Sequence, residues 1–184
     1  MLKSKDKSRE EVLSLSRSVV RLSSRAILAT HRGDLEKARK RLRRARDKLN
    51  AMEELLEKCQ EIKYGGFVYT AYQEYSEANL FLNFVEKRRF PTPEELGVPF
   101  IPFLLGMADF AGELRRKSLD SLREGDMKMA ERCLSVMEDV YESYLLIDEG
   151  HALIPGFRSK LDLIRRRIEE TRGDLARASV MRKW

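Results

Sequence analysis

Leu35-Glu-Lys-Ala-Arg-Lys-Arg-Leu-Arg-Arg-Ala-Arg-Asp-Lys-Leu-Asn-Ala-Met-Glu-Glu-Leu-Leu-Glu-Lys-Cys59 reads as helix from end to end. Leu35, Ala38, Leu42, Ala45, Leu49, Met52, Leu56 and Cys59 recur three or four residues apart, and most of what lies between them is charged. That period stacks the apolar side chains on one stripe of an α-helix. The spacing predicts a helix from about 35 to 63, ~40 Å long at 1.5 Å per residue. Upstream, Val12, Leu15, Val19, Leu22 and Ala26 mark another over about 8–30. His31-Arg-Gly-Asp34 breaks the two apart, with Asp34 placed to cap the second.

The same reading extends downstream. Gly65-Gly66 interrupts the chain, and a third helix covers about 67–88 before Pro91 and Pro93. Thr92-Pro-Glu-Glu95 opens a short helical turn with proline at its first position. Pro99 and Pro102 open a fourth helix ending near Arg123, and Glu124-Gly-Asp126 joins it to a fifth over about 126–147. The fifth should bury Ala130, Cys133, Met137, Val140, Tyr144 and Leu145. Asp148 to Gly156 reads as a loop, and Phe157, Leu161, Ile164, Ile168 and Leu175 trace a last helix. No strand pattern interrupts this. The expected fold is all-α: an elongated bundle of about six antiparallel helices. It forms one domain over 1–184, with 1–7 and 178–184 frayed. Helices this long in a small chain favour burial against copies of itself in a closed oligomer.

Composition narrows the function. The chain has 184 residues, 42% of them apolar, enough for a core. No apolar run matches a membrane span and the charged N-terminus lacks a signal-peptide core, so a cytoplasmic protein without membrane contact is expected. Cys59 and Cys133 each fall on an apolar stripe and read as core thiols. Residues 1–50 carry a net charge of +10, and the remainder −4. A basic front with acids further on suits a polyanion held in one place and cut in another.

Those acids come in two couples at helical spacing. Glu74 and Glu77 lie in Tyr72-Gln-Glu-Tyr-Ser-Glu-Ala-Asn79, and Asp109 and Glu113 in Gly106-Met-Ala-Asp-Phe-Ala-Gly-Glu-Leu114. Each couple shares one helix face. Two like charges ~5 Å apart repel by ~3 kcal/mol at an effective dielectric of ~20, so clustered acids need protons, basic partners or a cation. Four carboxylates on facing helices would make an oxygen site for Mg²⁺, with Mn²⁺ as the other fitting ion. The plainer alternative places the couples on different faces, paired with surface basics.

The basic residues divide the same way. Arg17, Arg21 and Arg25 form a ridge four residues apart, and Arg39, Arg43 and Arg46, with Lys40 and Arg44, form a second. Such ridges follow a phosphate backbone, or else are solvated faces. Arg116 and Lys117 share the face of Glu113 and could hold a phosphate or form salt bridges with Glu113 or Asp120. Phe67, Tyr69, Tyr72 and Tyr75 suit base stacking or core packing. His31 and His151 fall in expected loops without the Glu-x-x-His pattern of di-iron bundles. No phosphate loop or zinc cluster is present.

Gln73-Glu-Tyr-Ser-Glu-Ala78 resembles the QEYVEA segment of translin-associated factor X. Phe103-Leu-Leu-Gly-Met-Ala-Asp-Phe-Ala-Gly-Glu-Leu-Arg115 is similar to that family's YLLGVADLTGELMR. The resemblance covers roughly 65–175, while the front half matches only in helical pattern. It implies an all-α translin/Trax-like protein, of prokaryotic and archaeal type by its compactness, that assembles into hollow octamers. It also implies Mg²⁺-dependent endoribonuclease activity, with Glu74, Glu77, Asp109 and Glu113 as the catalytic, metal-binding acids. Arg17, Arg21, Arg25, Arg43, Arg44, Arg116 and Lys117 are then the expected contacts to RNA. The expected partners are single-stranded or short duplex RNA, single-stranded DNA, and the chain itself. Two alternatives stay open: a non-catalytic translin-like binder of single-stranded nucleic acid, and a helical adaptor that binds only protein.

Overall fold

The computed structural model describes residues 2–58, 65–147, 154 and 156–181. Cys59, His151 and the tail from Arg182 lie outside the described residues. Among the described residues there are seven helices and no strand. They are α1 (Leu2–His31), α2 (Leu35–Lys58), α3 (Gly66–Val85), α4 (Pro93–Leu96), α5 (Phe100–Arg123), α6 (Met127–Leu145) and α7 (Phe157–Met181).

The boundaries follow local chemistry. Asp34 caps α2, its carboxylate accepting from the Lys37 N–H at 3.3 Å. Thr92 and Glu95 form a reciprocal capping box at α4, with Pro93 in the first turn. Asp126 caps α6 by accepting from Met129 N–H at 3.0 Å. Two ends differ from the apolar pattern. α1 begins at Leu2, ahead of its first apolar position, because nothing in Leu2–Lys7 opposes a helix. α3 ends at Val85 rather than 88, because Lys87 turns left-handed (φ 56°) and the Arg88 N–H folds back onto the Asn83 carbonyl at 2.9 Å.

The chain gathers into two compact units, Met1–Gly106 and Met107–Trp184. The boundary falls inside α5, so no linker composition announces it.

In the first unit α1, α2 and α3 pack together. Ser16 Oγ reaches Met52 Sδ, and the Arg41 guanidinium donates to the Arg25 carbonyl. A later residue of α1 thus meets an earlier one of α2, so the two are antiparallel. Val19, Ala26, Ala38, Ala45, Leu49 and Met52 are fully buried between them, and Ala71, Ala78, Phe81 and Phe84 of α3 close the core. The start of α5 lies on α3 through Gly106. A Cβ there would stand 2.5 Å from the Gln73 carbonyl oxygen and 3.1 Å from the Glu77 nitrogen.

In the second unit α6 packs antiparallel to α7, with Glu138 meeting Arg172 and Tyr144 stacked on Phe157. Ala130, Cys133, Met137, Val140 and Tyr144 are buried as the stripe requires. Leu145 is not: it is 53% exposed, because it lies one residue beyond Tyr144 and so about 100° around the helix. Burial pushes the Cys133 thiol up to about 12, as expected of an inert core cysteine.

Gly106→Ala should destabilise the protein by about 1–3 kcal/mol, since the new methyl meets backbone that cannot step aside. Gly66→Ala, where a Cβ meets nothing within 4 Å, should stay within about 1 kcal/mol of the parent. Urea unfolding of both variants measures the difference; equal midpoints would show that α5 simply shifts.

Candidate functional site

Glu74 and Glu77 stand three apart on α3, flanked by buried Tyr75, Ser76 and Ala78. Glu77 is only 9% exposed, and Glu74 is half-buried with the Ser24 hydroxyl of α1 at 3.5 Å from its Oε2. The Gly106 contact falls on this same turn of α3. Both acids are therefore sheltered rather than part of a solvated face.

Asp109 and Glu113 occupy one stripe of α5, their side chains 24% and 21% exposed. The Lys160 ammonium of α7 sits directly on Asp109 Oδ1. Tyr144 of α6 is buried nearby, its hydroxyl held above the usual range by burial and by the Asp109 charge. Glu113 has Arg116 at 3.9 Å, so one of the expected phosphate ligands already leans on an acid. Lys117 is half-buried near Cys133, where its charge is felt by the thiol.

Beside these acids α7 lays down cations. Lys160, Arg167 and Asp174 recur seven residues apart, two turns each, and so share one face of α7. Lys160 meets Asp109, Arg167 lies on Gly112, and Asp174 meets Arg115 at 2.9 Å, so α5 and α7 run parallel in this unit. Arg115 also bonds Thr171 and Glu170. Burial would raise the Asp174 carboxyl, but hydrogen bonds from Arg177 and Arg115 overcome it and hold the group below its ordinary value. Neither Lys160 nor Arg167 was expected from the sequence. The seven-residue spacing is the one local signal, and their partners lie on another helix.

Carboxylate oxygens are the donors that Mg²⁺ takes, and at Asp109 a cation is already seated in the form of the Lys160 ammonium. The chemistry of the donors thus fits a hard cation, which would displace Lys160. Among the described residues no three His, Cys, Asp or Glu side chains form a ready ligand group.

The arginines divide by partner. Arg17, Arg21 and Arg25 are exposed along α1, and no carboxylate among the described residues pairs with them. Arg17 and Arg21 rim a groove with Phe67, Val20 and Leu13. Arg43 and Arg44 are likewise exposed on α2. The second ridge is not continuous, however. Arg39 is held by Glu36 and Glu86, and Arg46 by Glu53 and the carbonyls of Leu96 and Gly97. Those two arginines tie unit 1 together. Tyr72 and Tyr75 are core residues and not stacking platforms, and the Tyr72 hydroxyl donates to Glu53 at 3.0 Å. Phe67 and Tyr69 stay half-exposed. No helix among the described residues is long and apolar enough to cross a membrane.

An all-helical chain with sheltered acid couples and an unpaired arginine ridge defines a class, and the comparisons specify it. Residues 7–172 match the Translin family, and the chain belongs to that family. It is 33% identical to the uncharacterized protein MJ0175 of the archaeon Methanocaldococcus jannaschii, over 95% of this chain and 78% of that one. Its fold is similar to AfC3PO, with a TM-score of 0.84 and 35% identity over all of this chain and 95% of that one. It is also similar to AfC3PO in complex with duplex RNA, with a TM-score of 0.82 and 35% identity over 98% and 94% of the two chains. Apo-NeC3PO superposes at a TM-score of 0.88 with 25% identity, over 96% and 92%.

Asp109→Asn and Lys160→Met should be coupled. Either change alone breaks the Lys160–Asp109 contact and leaves one of its members in place; both together remove the pair. A double-mutant cycle by urea unfolding should give an interaction of about 0.5–1 kcal/mol, discounted for partial exposure. Strict additivity would show that the contact carries no net energy.

Proposed function

We propose that this protein binds RNA as a self-assembled shell, of about eight protomers as the family resemblance implies, and hydrolyses it with Mg²⁺. One observation carries the reading: its charges are sorted. The arginines of α1 are exposed and unspent on carboxylates, while Glu77, Asp109 and Glu113 are sheltered in apolar helices. A solvated surface has no need of that separation. A similar chain, AfC3PO, is known in complex with duplex RNA, which supports RNA as the ligand.

In this reading Arg17, Arg21 and Arg25, with Arg43 and Arg44, follow the phosphate backbone. Glu74, Glu77, Asp109 and Glu113 are the carboxylates that would serve as ligands to Mg²⁺, or to Mn²⁺ in its place. When bound, the ion polarises the phosphodiester and acidifies the attacking water. Glu77 or Glu113 takes the water's proton, the new P–O bond forms as the P–O3′ bond breaks, and the leaving 3′-oxygen takes up a proton from water. The products are a 5′-phosphate and a 3′-hydroxyl, and the 2′-hydroxyl takes no part. Exposed Leu145, Leu146, Val180 and Met181 in the second unit supply apolar surface for self-association.

Short duplex and single-stranded RNA should both be cleaved with Mg²⁺ and spared with EDTA. Asp109→Asn should abolish cleavage while keeping the assembly; parent-like turnover would remove Asp109 from the chemistry. Binding without any cleavage would favour the non-catalytic alternative, and absence of RNA affinity would favour a protein adaptor.

Replacing Arg17, Arg21 and Arg25 together by Ala should weaken binding. It should also flatten the log–log salt dependence by about 0.9 per lost contact for duplex and about 0.7 for single strands. Light scattering should give a mass near about eight protomers; a monomer at micromolar concentration would refute the shell.

A further inference from the structure

Arg132 and Arg167 each have a buried Nη1 with no hydrogen bond, and Arg167 is set apart by its seat on a glycine of α5. Its guanidinium lies flat on α5 at Gly112, where a Cβ would stand 2.6 Å from Nη1, 2.8 Å from Cζ and 2.9 Å from Nη2. Only glycine leaves room for it. Nη1 is buried and makes no hydrogen bond. Among the described residues no carboxylate pairs with Arg167, and the acids of α5 and α7 nearest it in sequence meet other cations: Asp109 meets Lys160, Glu113 leans toward Arg116, and Glu170 and Asp174 are bonded to Arg115. Along α5, Gly112 lies three residues after Asp109 and so shares its face, while Glu113, the next residue, lies about 100° further around.

A buried guanidinium donor left open amid satisfied neighbours is a site waiting for an acceptor. The adjacent carboxylates favour a cation here, and the substrate of such a site is an anion. A planar fork of N–H donors matches phosphate oxygens better than any other side chain. We infer that Arg167, seated on Gly112, is a phosphate-binding residue that donates to a non-bridging oxygen of the RNA phosphodiester at Asp109 and Glu113. This rests on the reading of those acids as hydrolytic.

The test uses the full-length assembled protein. Arg167→Ala should lower Mg²⁺-dependent cleavage by roughly a hundredfold, the usual loss for one charge-stabilising donor. In EDTA it should reduce the salt slope of binding to a non-hydrolysable phosphorothioate duplex by about 0.9. Arg167→Lys should recover part of the binding slope but little of the rate. Gly112→Ala displaces the guanidinium without deleting it and should copy Arg167→Ala, while adding nothing further in the double variant. Should Arg167→Ala fail to assemble, Gly112→Ala and Arg167→Lys carry the same comparison. Parent-like cleavage and salt slope in these variants, with an active parent, would overturn the role of Arg167 alone. A parent that neither binds nor cleaves RNA would overturn the underlying reading and this inference with it.

Discussion

A hydrogen atom at Gly106, where any other residue carries carbon, sets how closely α5 approaches α3. The contact is with backbone, the Gln73 carbonyl and the Glu77 amide, so no rotamer change relieves it. It also falls on the turn that presents Glu74 and Glu77. A close helix approach of this kind removes water from the carboxylate stems, and a desolvated carboxylate must be protonated, paired or filled by a cation.

Charge pairing follows the same physics at several depths. Where helices close on each other, arginines are spent: Arg46 on Glu53 and two carbonyls, Arg39 on Glu36 and Glu86, Arg115 on Glu170, Thr171 and Asp174. Half-buried pairs of this kind stabilise by fixing one geometry, since breaking one leaves a charge stranded. Along α1 the arginines face solvent, where pairing contributes little and open donors remain available to a polyanion. One basic composition therefore supplies both internal strapping and an exposed ridge of open donors, and depth decides which.

The second unit shows how a helix distant in sequence completes a neighbourhood. α7 runs parallel to α5 and delivers Lys160 to Asp109 and Arg167 to Gly112. Lys160 sets a positive charge against the half-buried carboxylate of Asp109. Tyr144 stays protonated beside it under burial and the same negative charge.

Periodicity alone determined the helices. The stripe from Ala38 to Leu56 and the stripe from Ala130 to Tyr144 are buried as read, because a 3.6-residue repeat leaves one face for the core, while Leu35 at the helix start is only half-buried. Capping at Asp34, Thr92 and Asp126 was legible too, since a cap is made within a few residues of chain. The acid couples could be read as couples for the same reason: three- and four-residue spacing is a local property. Tertiary structure alone decided the rest. It split the second arginine ridge into tied Arg39 and Arg46 and open Arg43, and it sent Tyr72 and Tyr75 to the core. It turned α3 out at Lys87 and brought α7's cations onto α5. Each of those outcomes depends on which residue from another helix arrives at a given face, and contacts across tens of residues leave no period in the sequence.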